Sequence, residues 1–188
     1  MSNQTNTETW IGNLIGKKTE NTNIKIFCSI ISVFLGSLLL IASAKIKVPL
    51  YPVPMTLQPM AVLMIAMLFG RNLATLTVGL YIFKGIIGLP VFAFGGGLMY
   101  LMGPTGGFIL GFFASTFVVG YLADRGWGRK ISLSIISMLI GMAIIYTLGI
   151  LQLALLKGFN FALLKGFYPF LLGDCYKLLL VGMVTPYI

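Results

Sequence analysis

Long apolar segments follow one another along the chain, and short stretches containing charged residues, glycine or proline separate them. An apolar helix of about 20 residues is long enough to cross the hydrocarbon core of a bilayer. Glycine and proline mark the boundaries of such segments. We predict transmembrane helices near residues 25–45, 56–70, 72–88, 105–123, 130–155 and 169–187.

The composition places the chain in the all-α class as a polytopic membrane protein. Apolar residues make up 58% of the 188 residues, charged residues make up 9%, and the mean hydropathy is +0.99. Six spans leave no room for a soluble domain of useful size. We therefore expect residues 25–188 to form one six-helix membrane domain, with residues 1–24 as a polar tail.

The basic residues predict the orientation in the membrane. Six spans place both termini on the same side, and short loops rich in Lys and Arg stay in the cytoplasm. The richer side holds Lys17, Lys18, Lys25, Arg71, Arg125, Arg129 and Lys130, and the other side holds Lys45, Lys47, Lys157 and Lys165. Both termini are thus predicted to be cytoplasmic. The net charge of +9 is spread over two faces without interleaved aromatic residues, which argues against nucleic-acid binding.

The second and third predicted helices are short and are joined only by residues 69–72. So short a connection predicts a tight hairpin whose tip, near Gly70, lies in the cytoplasm.

Asp174 and Lys177 stand one helical turn apart inside the last apolar segment. Residues at i and i+3 share a helix face, and ionisable groups within a membrane are costly and usually functional. One interpretation is a structural ion pair that fixes helix packing. The other is a ligand site that offers an acceptor and a donor together.

The predicted topology brings other polar residues to the same outer end. Thr56 and Gln58 begin the second span, whereas Tyr81 and Lys84 lie in the last two turns of the third. Asp174 opens the sixth span there. We expect these side chains to converge near the outer leaflet.

Two loops lie at this end. Residues 48–54 contain three prolines and cannot be helical. Residues 88–107 combine bulky side chains such as Phe92 with glycines that include Gly96 and Gly97. Glycine lets a backbone approach a ligand closely, so we expect this loop to contribute to a site.

The inventory of reactive groups excludes several chemistries. The chain has no His, and Asp174 is the only acid predicted to lie within the membrane. Metal-dependent hydrolysis and paired-Asp proteolysis therefore lack their residues. A phosphate-binding loop needs Lys after its last Gly, but Phe108 follows Gly107. We expect no enzyme activity, no cofactor and no bound ATP.

Ser32 and Gly36 form a small-xxx-small pair in the first span. Small residues at this spacing let two membrane helices approach closely. The partner is either another span of this chain or a separate membrane subunit.

Four blocks of sequence resemble the BioY family, the biotin-specific substrate-binding S components of energy-coupling factor (ECF) transporters. The resemblance extends from about residue 44 to residue 177, and Tyr81 belongs to it. The blocks are Val53 to Gln58 (VPMTLQ), Gly85 to Ala93 (GIIGLPVFA), Gly103 to Phe108 (GPTGGF) and Gly173 to Lys177 (GDCYK).

The resemblance implies an S-component-like bundle of six helices that binds biotin from outside. It also implies association with a transmembrane coupling protein and two cytosolic ATPase subunits, which would explain why this chain has no nucleotide motif. In such proteins, small residues of the first helix face the coupling protein. Ser32 and Gly36 stand where that family commonly has Ala.

Biotin suits the residues at the outer end. Its ureido ring has two N–H donors that an ionised Asp174 can accept, and Lys177 either donates to the ureido oxygen or holds Asp174 in its charged form. Lys84, or backbone N–H groups near Gly96 and Gly97, are expected to meet the carboxylate of the valerate tail. Further contacts are expected from Thr56, Gln58, Tyr81 and Phe92.

Two other classes of function remain open. A small secondary transporter or channel would use Asp174 as a proton or ion coupling site and would need no ATPase. A scaffold subunit would bind no small molecule.

Overall fold

The computed structural model of the chain describes Thr9 and residues 22–185. The predicted polar tail therefore lies almost wholly outside the described residues, as does the last part of the sixth predicted span. The described part is built from α-helices, with one 3₁₀ turn and two very short strands. The helices are α1 (Thr22–Lys45), α2 (Gln58–Ile86), α3 (Leu98–Met102), α4 (Gly106–Asp124), α5 (Ile131–Lys157), α6 (Phe159–Gly166) and α7 (Tyr168–Val184).

Helix α2 is a hairpin of two helical arms, residues 58–69 and 71–86. Gly70 interrupts it with φ 73° and ψ 178°, a conformation that L-residues with a side chain rarely adopt. Gln58 and Tyr81 are 23 residues apart, which is about 35 Å along a straight helix, yet their side chains are hydrogen-bonded at 2.7 Å. The chain therefore reverses at Gly70, and the predicted hairpin is confirmed.

Helix α4 lies at the centre of the bundle. It packs against both α2 and α5, while α1 packs on α2 and α7 packs on α5. The core between these helices is apolar and fully buried, and its members include Leu63, Val78, Val119, Met138 and Ile145. The outer surface is also apolar, as along α1, where Phe27, Ile30 and Phe34 are exposed. An apolar exterior around a packed interior is typical of a bundle surrounded by lipid.

Among the described helices, α1, α4 and α5 are each long and apolar enough to cross a membrane. Helix α2 reaches that length only when its two arms are counted together. Helix α7 has 17 residues, which lies at the lower limit for a span. Each arm of α2 is shorter than a usual span, as the sequence indicated. The count of six spans and the cytoplasmic location of the termini stay predictions.

The proline-rich segment after α1 is not helical, as predicted. Strands β1 (Lys47–Val48) and β2 (Met55–Thr56) pair antiparallel, with Lys47 opposite Thr56. The prolines occupy the turn between the two strands, where no ladder hydrogen bond is required of them. This small ribbon fixes the segment that enters α2.

Two segments that we expected to be loops contain short helices. Residues 98–102 form α3, and residues 159–166 form α6 within the connection between the last two spans. Gly97 (φ 95°) precedes α3 and Gly158 (φ 89°) precedes α6. Glycine at these positive φ values lets the chain turn sharply before a new helix begins. The connection between the last two predicted spans thus contains a turn and a helix, and the loop prediction was wrong there.

The ends of the helices group as the topology predicts. Asp124, at the end of α4, accepts a hydrogen bond of 3.1 Å from the backbone N–H of Arg71 at the hairpin tip. We call this end, with Gly70, Arg71 and Asp124, the hairpin end. The opposite end, where β1, β2 and the first turn of α7 meet, holds the cavity described next.

Candidate functional site

Asp174 lies in α7 and is almost completely buried, with 4% of its surface exposed. Its Oδ1 atom is 2.9 Å from Nζ of Lys177, one turn further along the helix. The same ammonium group donates a 3.0 Å hydrogen bond to the backbone oxygen of Thr56. The predicted ion pair therefore forms, and through Lys177 it ties α7 to the strand that precedes α2.

Tyr146 of α5 completes the surroundings of the carboxylate. Its hydroxyl donates a 2.7 Å hydrogen bond to Oδ2 of Asp174. Each carboxylate oxygen thus has one protein donor, as a buried acid requires. An ionised carboxylate oxygen has a second acceptor site, so Asp174 retains the capacity to accept hydrogen bonds from a ligand.

A second polar group lies on α2. Nε2 of Gln58 donates to Oη of Tyr81 at 2.7 Å, and Oη lies 3.5 Å from the backbone oxygen of Val91. The backbone N–H of Gln58 is bonded to Oγ1 of Thr56 at 3.2 Å. These contacts hold the Gln58 amide at the start of the helix, next to the segment that Lys177 contacts.

An aromatic wall stands beside this polar group. Phe92 is fully buried, meets the Tyr81 ring edge to face at a centroid distance of 5.5 Å and stacks on Tyr100 at 5.0 Å. Gly85 lies directly against the Phe92 ring, and a Cβ atom there would overlap it. The Phe92 ring can occupy this position only because Gly85 has no side chain.

A cavity opens between these groups and the central helices. It encloses about 560 Å³ between protein atoms, its open mouth included. Pockets for small organic ligands combine apolar walls with a few placed polar groups. Its lining is mostly apolar, and the residues are Val53, Pro54, Thr56, Gln58, Pro59, Phe92, Ala93, Tyr100, Thr105, Phe108, Ile109, Phe112, Met142, Ile145, Tyr146, Phe170 and Asp174.

Four of the residues singled out from the sequence line this cavity directly: Thr56, Gln58, Phe92 and Asp174. Two others do not line the cavity but are hydrogen-bonded to residues that do: Tyr81 to Gln58, and Lys177 to Asp174. The expected convergence of polar groups is therefore present for these residues, and Lys84 is the exception.

Three other candidates lie elsewhere. Nζ of Lys84 donates to Oγ of Ser37 at 2.8 Å and lies 4.6 Å from the centre of the Phe34 ring, so it contacts α1 and does not line the cavity. Gly96 packs on the backbone of residue 89, and the N–H of Gly97 bonds to the oxygen of Gly85 at 2.7 Å. These two glycines shape the loop that carries Phe92.

Two lysines at the cavity end contact that same loop. Nζ of Lys45 donates to the backbone oxygens of Pro90 and Phe92, at 2.6 and 2.8 Å. Nζ of Lys47 donates to the backbone oxygen of Ala93, which lines the cavity. Lys47 itself does not line the cavity, but its ammonium group contacts a residue that does.

Gly36 of α1 is buried against its own chain. A Cβ atom on Gly36 would lie 2.8 Å from Cγ2 of Thr77 and 3.0 Å from the Phe69 ring, both in α2. Ser32 is half-buried and bonds to the backbone oxygen of Cys28 at 2.9 Å. The structure therefore shows that Gly36 packs against another helix of the same chain, which was one of the two alternatives for this pair.

Apart from Asp174, sequence reasoning missed the residues that α4, α5 and α7 contribute to the wall. The most important is Tyr146, and the others include Phe108, Phe112, Met142 and Phe170. Only Tyr146 could have been suspected from the sequence, because a hydroxyl in the middle of an apolar helix needs a hydrogen-bond partner. The remaining side chains resemble the lipid-facing residues around them.

A family model described as "BioY family" matches residues 17–188. The biotin transporter BioY of Thermotoga maritima is 42% identical over 116 residues, which are 61% of this chain and 68% of that protein. A probable biotin transporter BioY of Rickettsia prowazekii is 33% identical over 160 residues, or 85% of this chain and 82% of that protein.

The fold also matches a solved structure. The crystal structure at 2.1 Å of the S-component for biotin from an ECF-type ABC transporter superposes with a TM-score of 0.78. The match covers 90% of this chain and 94% of that chain at 23% identity, which establishes a shared fold. The family model covers almost the whole chain, and this membrane protein belongs to the BioY family.

Proposed function

We propose that the chain binds biotin from outside the cell membrane and delivers it inward as the S component of an ECF transporter. The observation that carries the proposal is the buried Asp174 carboxylate at the wall of a mostly apolar cavity. Relatives named as biotin transporters, two of them given above, share up to 42% identity with this chain.

The ureido ring of biotin matches the groups around Asp174. The two ring N–H groups would donate to the carboxylate, whose oxygens each hold one protein donor already, from Lys177 and Tyr146. Hydrogen bonds to a charged group contribute about 1.5–3 kcal/mol each. Lys177 contacts the acid and the Thr56 backbone, which favours the role of holding Asp174 over the role of contacting the ureido oxygen.

The other walls suit the rest of the ligand. Phe92, Phe108 and Phe170 offer apolar surface for the thiophane ring and the methylene tail. Gln58 presents its amide at the edge of the cavity, where the ureido oxygen requires a donor. The valerate carboxylate would lie outside the apolar part of the cavity, near Ala93, where Lys47 supplies a positive charge.

The carboxylate role is tested by equilibrium binding of radiolabelled biotin to the detergent-purified protein. We expect Asp174→Asn to weaken binding at least about tenfold, because a neutral amide accepts more weakly than a carboxylate. The matched control is Asp124→Asn, the same change at the hairpin end, which should bind as wild type does. Absence of binding by folded wild-type protein would overturn the proposal.

Transport is tested separately. The proposed delivery inward is coupled to an ECF transmembrane protein and two ATPases, which would hydrolyse ATP in place of this chain, since it lacks a phosphate-binding loop. Vesicles with the protein alone should bind biotin without accumulating it, and vesicles that also hold the coupling protein and ATPases should accumulate it on addition of ATP. Accumulation by the protein alone, driven by an ion gradient, would instead indicate a secondary transporter that uses Asp174 as its coupling site.

A further inference from the structure

We propose that the hairpin end carries a binding site for the headgroup phosphate of an anionic phospholipid, formed by Arg71 and Arg125 around the Tyr121 ring. This site lies at the opposite end of the bundle from the cavity and is independent of biotin binding.

The two arginines share one aromatic ring. The guanidinium carbon of Arg125 lies 4.4 Å from the centre of the Tyr121 ring, and that of Arg71 lies 5.9 Å from it. Arg71 also lies 5.2 Å from the centre of the Phe117 ring. An aromatic face attracts and orients a guanidinium group, so both cations are held beside the Tyr121 ring.

The position of the pair is that of a lipid headgroup. Phe113, Phe117 and Tyr121 follow one another at four-residue spacing along α4, and all three rings are exposed on the apolar outer surface. This stripe would contact acyl chains along its length. The arginines lie over its last two rings, at the end of the span, where headgroup phosphates are found.

The charges fit a phosphodiester. Within the described part of the chain, neither guanidinium group has a carboxylate within salt-bridge distance, and the one acid nearby, Asp124, accepts a hydrogen bond from the Arg71 backbone. The two arginines outnumber the single carboxylate of Asp124, so this surface attracts the negative charge of a phosphatidylglycerol headgroup. Arg is the side chain best suited to binding phosphate oxygens in pairs.

The test is thermal unfolding of the delipidated protein in a neutral detergent, with dioleoyl phosphatidylglycerol or dioleoyl phosphatidylcholine added. At a hundredfold excess of lipid over its dissociation constant, we expect phosphatidylglycerol to raise Tm by about 5 °C or more and phosphatidylcholine to raise it far less. The double variant Arg71→Gln/Arg125→Gln should lose this difference between the two lipids. The matched control Lys130→Gln removes an exposed charge at the same end and should keep it.

Three outcomes would overturn the proposal: equal stabilisation by both lipids, a double variant that keeps the full preference for phosphatidylglycerol, or the same shift from glycerol phosphate, which would indicate a site for soluble phosphate. If the double variant does not fold, native mass spectrometry of the wild-type protein from mixed micelles decides. Retention of phosphatidylglycerol over phosphatidylcholine supports the site, and equal retention contradicts it.

Discussion

The hydroxyl of Tyr146 donates a 2.7 Å hydrogen bond to Oδ2 of Asp174, across 28 residues of sequence. This contact joins the long helix α5 to the one buried acid of the cavity. Tyr146 also lies edge to face with Phe167, at a centroid distance of 5.1 Å, so its ring is held by packing as well as through its hydroxyl. The orientation of the carboxylate therefore depends on α5 as much as on the helix that carries it.

Tyr146→Phe should weaken biotin binding about tenfold, because the carboxylate loses the donor that orients one of its oxygens. The ring packing is retained, so the protein should stay folded. Equilibrium binding measures the effect, and Tyr176→Phe, an exposed position on the same helix as Asp174, is the control. Unchanged affinity in Tyr146→Phe would show that the hydrogen bond does not contribute to ligand binding.

Tyr81→Phe should lower the free energy of unfolding by about 1–3 kcal/mol, because Nε2 of Gln58 would lose its buried acceptor. The hairpin arms would then be joined at the cavity end by apolar contacts only. Thermal unfolding in detergent measures the change, with Tyr121→Phe, a more exposed tyrosine, for comparison. Equal Tm values for the two variants would contradict the role given to the Gln58–Tyr81 bond.

Gly85→Ala should damage both stability and binding, since the added methyl group would displace the Phe92 ring from the cavity wall. Inserting a methyl group into a packed interior costs about 1–3 kcal/mol. Gly79→Ala is a suitable control on the same arm, because its added Cβ would meet only an ordinary 3.5 Å contact with Phe113. The contrast between the two variants in Tm and in biotin affinity checks the prediction, and similar behaviour of both would disprove it.

Lys84 and Lys47 are the two candidate partners of the valerate carboxylate, and comparing the binding of biotin with that of biotin methyl ester distinguishes between them. Lys84 points towards Ser37 and Phe34, so Lys84→Met should keep the wild-type preference for biotin over biotin methyl ester. Lys47→Met should reduce that preference, because it removes the positive charge behind Ala93. The reverse result would restore Lys84 as the partner of the tail and exclude Lys47.

The sequence predicted the hairpin and the ion pair because both depend on local properties. The hairpin follows from two short apolar segments joined by Phe69 to Asn72, and the ion pair follows from the i, i+3 spacing of Asp174 and Lys177. Both features need only neighbouring residues.

The contacts between helices were harder to predict. Helix α5 is apolar all round, so its sequence does not show which face turns to the cavity, and the partnership of Tyr146 with Asp174 stayed hidden. Lys84 has a long side chain that reaches α1 as easily as the cavity. Its direction depends on where Ser37 and Phe34 lie, which is a matter of tertiary packing.

We propose that the Asp174 carboxylate accepts the ureido N–H groups of biotin. This hydrogen bonding is tested by measuring the affinity of wild type and of Asp174→Asn for biotin and for its cyclic carbonate analogue, in which oxygen replaces both N–H groups. We predict that wild type binds the analogue at least about tenfold more weakly than biotin, and that the variant shows a much smaller difference. The same ratio of affinities in both proteins would contradict the account.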